Sequence, residues 1–287
     1  MPKGRSIDTV SPYGSHPAGG LARAAWRLID GGGFHATLRR KAGGAIAWLF
    51  SGPYDVEAGG LKFRLYPGEN YDDRKIVARA RLPEQAEHAL IGKWLRPGVE
   101  FVDIGANVGT YALFAASRGA RVLAIEASAA TAAKLAFNIA ANEALDGFGG
   151  VKVMLTAVGE EEGRLTLWTS ARNWGFATLA GDVAEGEAGK WQTQDVPVRL
   201  LADVLGEAGI GRADVMKIDV EGFEDRVLMP YLEASPRGAW PRVVLMETNC
   251  SAAWKRDPRE TLTAHGYVVE GETEDNVLLV DRTDHAT

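Results

Sequence analysis

The 287-residue chain has a single cysteine, Cys250, and only five histidines. One cysteine excludes an intramolecular disulfide and a cysteine-rich metal site, and such sparse use of cysteine suits a reducing cytoplasm. The histidines show no spacing typical of metal ligands. For His35 and His88 we expect a surface role, with that of a catalytic base as the less favoured alternative. The five are His16, His35, His88, His265 and His285.

Long hydrophobic runs are also lacking. The longest apolar stretch near the N-terminus, Ala45 to Phe50, falls far short of the ~20 residues that a membrane-spanning helix requires. No basic segment followed by an apolar core marks a secretory signal. We therefore expect a soluble, cytoplasmic protein that makes no membrane contact.

Positive charge is not in excess. The chain carries 32 Lys and Arg against 38 Asp and Glu, a formal net charge of −6, whereas a surface that follows a phosphate backbone needs clustered cations. The short run Arg39-Arg40-Lys41 is explained equally well by a solvated helix face. Nucleic acid is therefore not an expected partner. The sequence also lacks a Gly-x-Ser-x-Gly motif and a P-loop.

Composition divides the chain into three parts. Residues 1–20 are rich in Gly, Pro and Ser without a hydrophobic period, so we expect a mobile tail. Residues 21–95 combine helical patches with a short hairpin around Gly59-Gly60, and this extension is available for substrate or homo-oligomer contacts. The principal domain is expected over residues 96–287.

From Val99 onward, short apolar runs alternate with amphipathic stretches, which is typical of repeated βα units. Residues 160–195 interrupt this alternation as an insertion, with a predicted hairpin around Leu165 and Leu167 and a Gly-rich polar loop, followed by a predicted strand from Val196 to Leu200. The last two strands, joined at Glu274-Asp275-Asn276, indicate an antiparallel hairpin. We predict an α/β, Rossmann-like fold with a seven-stranded, mainly parallel sheet that ends in this hairpin. Strands are predicted at 99–104, 121–126, 151–157, 214–219, 242–247, 267–271 and 276–280, and helices at 109–118, 129–142, 201–208, 223–234 and 257–265.

The first predicted strand runs into a glycine turn, Gly105-Ala106-Asn107-Val108-Gly109, and a helix starts near Thr110. The two glycines allow the backbone to approach a ligand, and the start of a helix offers unpaired N–H groups. A dinucleotide site favours glycine where Asn107 stands. Asp103, just before the turn, would repel a pyrophosphate and attract the cationic sulfonium and amino groups of S-adenosylmethionine (SAM).

Further candidates for binding the donor follow the next two strands. Glu126 ends the second strand about 20 residues after the glycine turn, where an acid accepts hydrogen bonds from the ribose hydroxyls. The end of the third strand would present small apolar groups to adenine. The predicted donor site comprises Asp103, Gly105, Ala106, Asn107, Gly109, Thr110, Glu126, Ala127, Ala157 and Val158.

Carboxylates cluster after the fourth strand. Asp219 is expected at the sheet edge where methyl transfer would take place, and Glu221 lies just beyond it. Both are candidate catalytic residues. A carboxylate here can act as a general base, bind the donor's amino group, or hold a divalent metal such as Mg²⁺ together with Glu247 and Asn249. These roles stay open. For Glu224 the favoured explanation is structural, since acids are stabilised in the first turn of a helix.

Aromatic side chains gather in the 160–195 insertion. Their faces suit stacking on a sugar or a flat ring, and the glycines of the insertion would let such a loop close. Tryptophans also fasten long loops to a sheet, and the two interpretations stay equally open. The cluster comprises Trp168, Trp174, Phe176 and Trp191, with Arg172 and Asn173 between them.

Several short motifs occur in one order over roughly residues 99–250. They are FVDIGANVGT at 101–110, Ile125-Glu126, Asn138, TAVG at 156–159, KIDVEGFE at 217–224 and Leu245-Met246-Glu247. Together they resemble the FkbM-type SAM-dependent methyltransferases. The resemblance implies a class I methyltransferase fold, SAM as the donor and S-adenosylhomocysteine (SAH) as the product. It further implies O-methylation of a hydroxyl on a sugar, glycan or secondary metabolite.

Two other functions share part of this pattern. An NAD-dependent reductase would also use Glu126, and tight SAH binding without NADH binding in calorimetry would exclude it. A non-catalytic SAM-binding module would keep the same donor cleft. Methyl transfer that is lost in Asp219→Ala would exclude that module.

Overall fold

The computed structural model describes residues 7–30, 36–171, 173–186 and 190–283. His35, Arg172 and His285 lie outside these residues, as do the first six residues of the expected tail and the side chains of the 39–41 basic run. Among the described helices, none is long and apolar enough to cross a bilayer.

The N-terminal extension contains four helices and the expected hairpin. Strands β1 and β2 pair antiparallel on either side of Gly59-Gly60, which confirms the hairpin. The elements are α1 Gly20–Asp30, α2 Ala36–Leu49, β1 Tyr54–Ala58, β2 Leu61–Leu65, α3 Tyr71–Arg79 and α4 Gln85–Gly92.

The rest of the chain follows the predicted alternation of strands and helices. The predicted bounds of two helices, 129–142 and 201–208, and of one strand, 121–126, agree with the structure. In chain order the elements are β3 Glu100–Ile104, α5 Thr110–Ala116, β4 Arg121–Glu126, α6 Ala129–Asn142, β5 Val151–Leu155, β6 Ala157–Val158, β7 Gly163–Ser170, β8 Asn173–Thr178, α7 Gly181–Gly186, β9 Trp191–Arg199, α8 Leu201–Ala208, β10 Val215–Ile218, α9 Glu224–Ala234, β11 Val243–Glu247, α10 Pro258–Ala264, β12 Tyr267–Glu272 and β13 Asn276–Asp281.

The principal sheet has seven strands in the order β12-β13-β11-β10-β3-β4-β5. The five strands from β11 to β5 are parallel, while β13 runs antiparallel to both β11 and β12. Phe101 joins the apolar cluster on one face and Val102 the cluster on the other, as expected of a sheet covered on both faces. This arrangement confirms the class I methyltransferase fold.

The insertion forms a second sheet of four strands in the order β6-β9-β7-β8. The predicted strand at 151–157 is split at Thr156, because β6 leaves the principal sheet to pair with β9. The hydroxyl of Thr156 donates to the carbonyl of Pro197 at 3.2 Å. β9 is longer than the predicted strand, and the region expected to be a polar loop also contains β8 and α7.

Residues 7–19 are attached to the hairpin rather than forming a detached tail. The fully buried guanidinium of Arg64 donates to both carboxylate oxygens of Asp55, at 2.7 and 2.8 Å, and to the carbonyls of Ser11 and Pro12. The expected tail is therefore corrected over these residues, because a buried cation uses the segment's carbonyls to complete its hydrogen bonds.

The extension is fastened to the principal domain by two asparagines one turn apart on α6. Asn142 accepts from the backbone N–H of Lys62 at 2.9 Å and donates to its carbonyl at 2.7 Å. Asn138 accepts from the N–H of Arg64 at 2.7 Å and donates to the carbonyl of Val108 at 3.0 Å. These amides satisfy the open edge of β2 and connect it to the glycine turn.

Removing the Arg64 cation should destabilise the fold strongly. We expect Arg64→Met to lower the free energy of unfolding by about 3–5 kcal/mol, because Asp55 would be left buried and unpaired. The control Arg256→Met removes a solvent-exposed ion pair with Glu233 and should leave the free energy nearly unchanged. Urea unfolding measures the free energy of unfolding of both variants. Equal losses in the two would contradict the role given to the buried Arg64–Asp55 pair.

Candidate functional site

A cleft lies at the carboxyl ends of the parallel strands, beneath the hairpin of β7 and β8. It encloses about 670 Å³ of empty space, including open solvent at its mouth. The cleft brings together residues of β3, β4 and β6 with residues that follow β10, although these are widely separated in the chain. Of the predicted site residues, those that line it are Gly105, Asn107, Glu126, Ala127, Ala157, Val158, Asp219 and Glu221.

The glycines of the turn are required by their protein neighbours. Gly105 has φ +79°, and a Cβ there would lie 1.9 Å from the carbonyl oxygen of Asp219. Gly109 has φ +96°, and a Cβ there would lie 2.6 Å from Cδ1 of Leu135. Both positions therefore need glycine because the segment after β10 and helix α6 lie so close. The sequence interpretation had instead explained the two glycines by the close approach of a ligand.

The backbone amides of the turn are largely used within the protein. The N–H groups of Gly105 and Ala106 both donate to the carbonyl of Ile125 at 3.0 Å. The N–H of Asn107 donates to Oε2 of Glu126 at 3.0 Å, and that of Gly109 to the carbonyl of Ala106. These four amides are therefore not free to donate to a ligand.

Glu126 ends β4 at the wall of the cleft. Its Oε1 accepts from the N–H of Ser128 at 2.8 Å, while Oε2 accepts from Asn107. Burial raises the pKa of Glu126, and these two N–H donors oppose the rise. Each carboxylate oxygen has a further lone pair, so Glu126 keeps the capacity to accept hydrogen bonds from a ligand in the cleft.

Asp103 is not where the sequence interpretation placed it. The side chain is fully buried beneath the glycine turn, and Asp103 is paired in register with Lys217 on the neighbouring strand. Lys217 Nζ lies 3.6 Å from Asp103 Oδ1. Burial raises the pKa of Asp103 and the Lys217 ammonium opposes that rise. Ala106, Gly109 and Thr110 are likewise absent from the residues that line the cleft.

Lys217 is the cation that organises this edge of the sheet. Its buried ammonium lies 3.0 Å from Asp219 Oδ2, donates to the carbonyl of Gly105 at 3.1 Å, and lies 5.1 Å from the ring centroid of Tyr111. Burial lowers the pKa of Lys217, but the charges of Asp219 and Asp103 outweigh it and the pKa is raised. Lys217 therefore stays protonated. Its place in the KIDVEGFE motif was the available signal for this role.

Asp219 has a carboxylate near those of Glu221 and Glu247, with one oxygen from each within 4.8 Å of the others. Asn249, predicted as a fellow ligand, donates from its Nδ2 to Glu247 Oε1 at 3.2 Å. For both Glu221 and Glu247, burial and the charge of Asp219 raise the pKa well above the ordinary range.

Glu224 serves the strand-to-helix turn, in agreement with the structural explanation. Its carboxylate accepts from the N–H groups of Val220 and Gly222 and from the indole N–H of Trp254 at 2.8 Å. It is almost fully buried and does not line the cleft.

The roof of the cleft comes from the aromatic insertion, in which Trp174 was predicted either to stack on a ligand or to fasten the loop. Trp174 and Gly175 of β8 line the cleft, and the backbone N–H of Trp174 donates to the carbonyl of Glu69 at 2.6 Å. Asn70 donates to the Asn107 side chain at 3.0 Å. The hairpin is thus fastened to the extension. Asn70 also caps the helix α3 that follows it.

His88 is buried, which corrects the expected surface role. Its ring stacks on Tyr111 with centroids 4.4 Å apart and meets the edge of Phe114. Its ring nitrogens contact the carbonyls of Glu84 and Thr110. Burial lowers the pKa of His88, and the hydrogen bonds to the two carbonyls oppose that shift.

Known proteins similar to this chain are methyltransferases. The profile of the methyltransferase FkbM domain matches residues 103–269. The 31-O-demethyl-FK506 methyltransferase FkbM of Streptomyces tacrolimicus is 31% identical over 209 residues, covering 63% of this chain and 77% of that protein. The methyltransferase sdnD of Sordaria araneosa is 30% identical over 153 residues, covering 44% of this chain and 58% of that protein.

A solved structure carries the same family description. The crystal structure of an FkbM methyltransferase from Methylobacillus flagellatus aligns with a TM-score of 0.43 and 12% identity, covering 90% of this chain and 58% of that one. The profile match and the sequence relatives confirm the resemblance seen in the motifs.

The pairing of Lys217 with Asp103 predicts a specific pattern of stability. Lys217→Met should lower the free energy of unfolding by about 3–5 kcal/mol, since it leaves Asp103 buried without a counter-charge. Adding Asp103→Asn should recover part of this loss because the buried charge is removed. Chemical denaturation of the two single variants and the double variant measures the coupling. Strictly additive losses would contradict the pairing.

Proposed function

The chain belongs to the FkbM methyltransferase family, and we propose that it transfers the methyl group of SAM to a hydroxyl of a secondary metabolite, sugar or glycan. The observation that carries this proposal is the cleft itself. It has Glu126 on one side of the glycine turn and Asp219 on the other, because β4 and β10 both flank β3.

The residues of the cleft fit the parts of the donor. Glu126 is suited to the ribose hydroxyls because its oxygens retain lone pairs towards the cleft. Ala157, Val158 and Ile125 offer an apolar surface for adenine. Gly105 and Asn107 line the cleft between these residues and Asp219. When bound, SAM supplies an electrophilic methyl group on a sulfonium.

Asp219 is the proposed proton acceptor. Its side chain is 29% exposed, and Lys217 holds one of its carboxylate oxygens. The Asp219 carboxylate positions the acceptor hydroxyl by accepting a hydrogen bond from it. As the acceptor oxygen bonds to the methyl group, its O–H bond breaks and Asp219 receives the proton. SAH then leaves as a neutral thioether. Lys217 orients the carboxylate and compensates its charge before the proton arrives.

The acceptor class rests on similarity and on the chemistry of the cleft. The relative from Streptomyces tacrolimicus is named a 31-O-demethyl-FK506 methyltransferase, and that name indicates an oxygen as the methyl acceptor. The cleft of this chain combines carboxylates with apolar side chains and the Trp174 ring. Such a lining suits an uncharged, oxygen-rich acceptor.

A radiolabelled methyl-donor assay across glycan and natural-product extracts tests this proposal. We expect labelled product with the wild type and a loss of about 10²–10⁴-fold in rate with Asp219→Asn, the effect of removing a general base. SAH affinity in calorimetry should change by no more than about 10-fold. The exposed control Asp182→Asn should retain full activity. Unchanged transfer in Asp219→Asn, or no SAH binding by the wild type, would contradict the proposal.

A further inference from the structure

Three carboxylates converge at the acceptor end of the cleft. Asp219 and Glu221 follow β10 and Glu247 ends β11, and these strands are neighbours in the sheet. One oxygen of each residue lies within 4.8 Å of the others. Parallel strand ends thus bring together side chains from two separate turns, as at other sites at the edge of α/β sheets.

One oxygen of this cluster has no partner. Glu247 is 8% exposed, and its Oε1 accepts from Asn249. Its Oε2 is buried and has no hydrogen-bond partner within the part of the chain that the structure describes. A buried carboxylate oxygen without a donor is energetically unfavourable. An unpartnered acceptor beside two further carboxylates is suited to a cationic ligand.

The charges around the cluster are not balanced. Lys217 is the cation that contacts Asp219, and it is shared with the buried Asp103. Within the described residues, one ammonium therefore lies beside the four carboxylates of Asp103, Asp219, Glu221 and Glu247. A dication would remove most of this imbalance.

We propose that Asp219, Glu221 and Glu247 hold a divalent cation of the Mg²⁺ or Mn²⁺ type next to the acceptor hydroxyl. Hard cations of this type take carboxylate oxygens and keep several positions for water or substrate. Coordinated there, the acceptor hydroxyl has a lowered pKa and passes its proton to the neighbouring Asp219. The inference rests on the proposed methyl transfer, and it assigns Glu221 and Glu247 as cation ligands that do not themselves take the proton.

Binding of Mn²⁺ to the full chain, followed by electron paramagnetic resonance with saturating SAH and no acceptor, tests the site. We expect one saturable Mn²⁺ per chain, displaced by excess Mg²⁺. Glu247→Gln and Glu221→Gln should each weaken Mn²⁺ binding by about 10-fold or more, since each removes a charged ligand. The exposed control Glu161→Gln should bind Mn²⁺ like the wild type.

The outcomes separate this inference from the proposed function. SAH binding and methyl transfer that is unaffected by EDTA, with no saturable Mn²⁺, would overturn the cation site and leave the proposed function standing. Mn²⁺ binding that both glutamine variants retain would also overturn it. Failure of the wild type to bind SAH would instead count against the proposed function. Glu221 is only partly buried, so Glu221→Gln keeps the test decisive if Glu247→Gln does not fold.

Discussion

The contact on which the site depends is the buried ammonium of Lys217 between Asp103 and Asp219. It compensates the charge of Asp103, which the sheet would otherwise bury without a counter-charge. It also fixes the orientation of the Asp219 carboxylate, which faces the cleft. The same ammonium donates to the carbonyl of Gly105, so the glycine turn is positioned by it as well. One lysine thereby joins β3, β10 and the floor of the cleft into a single electrostatic unit.

This unit changes how recognition of the donor is understood. A negative charge directly below the glycine turn had suggested attraction of a sulfonium by Asp103. Because Lys217 neutralises Asp103, the carboxylates left facing the cleft are those of Glu126, Asp219 and Glu221. They lie at two ends of one cleft, and under the proposed function they divide it into a nucleoside part and a reacting part. The extension and the β7–β8 hairpin close this cleft from above through backbone and amide contacts.

Most of the fold could be predicted from the sequence, because the periodicity of the apolar residues indicates which face of each helix or strand is buried. The bounds of β4, α6 and α8 agree with the prediction, and Glu126 and Asp219 are found at the predicted strand ends. Asp103 was misplaced because its partner Lys217 lies far away in the chain and is aligned with it only by strand register. The split at Thr156 and the roof at Trp174 also depend on pairing between distant segments, which local patterns do not encode.

The most direct test of this account is a crystal structure of the protein with SAH bound. The account predicts that Lys217 remains in contact with Asp103 and Asp219, while Glu126 accepts hydrogen bonds from the ribose hydroxyls. A structure in which the amino group of SAH displaces Lys217 and binds Asp103 would contradict it.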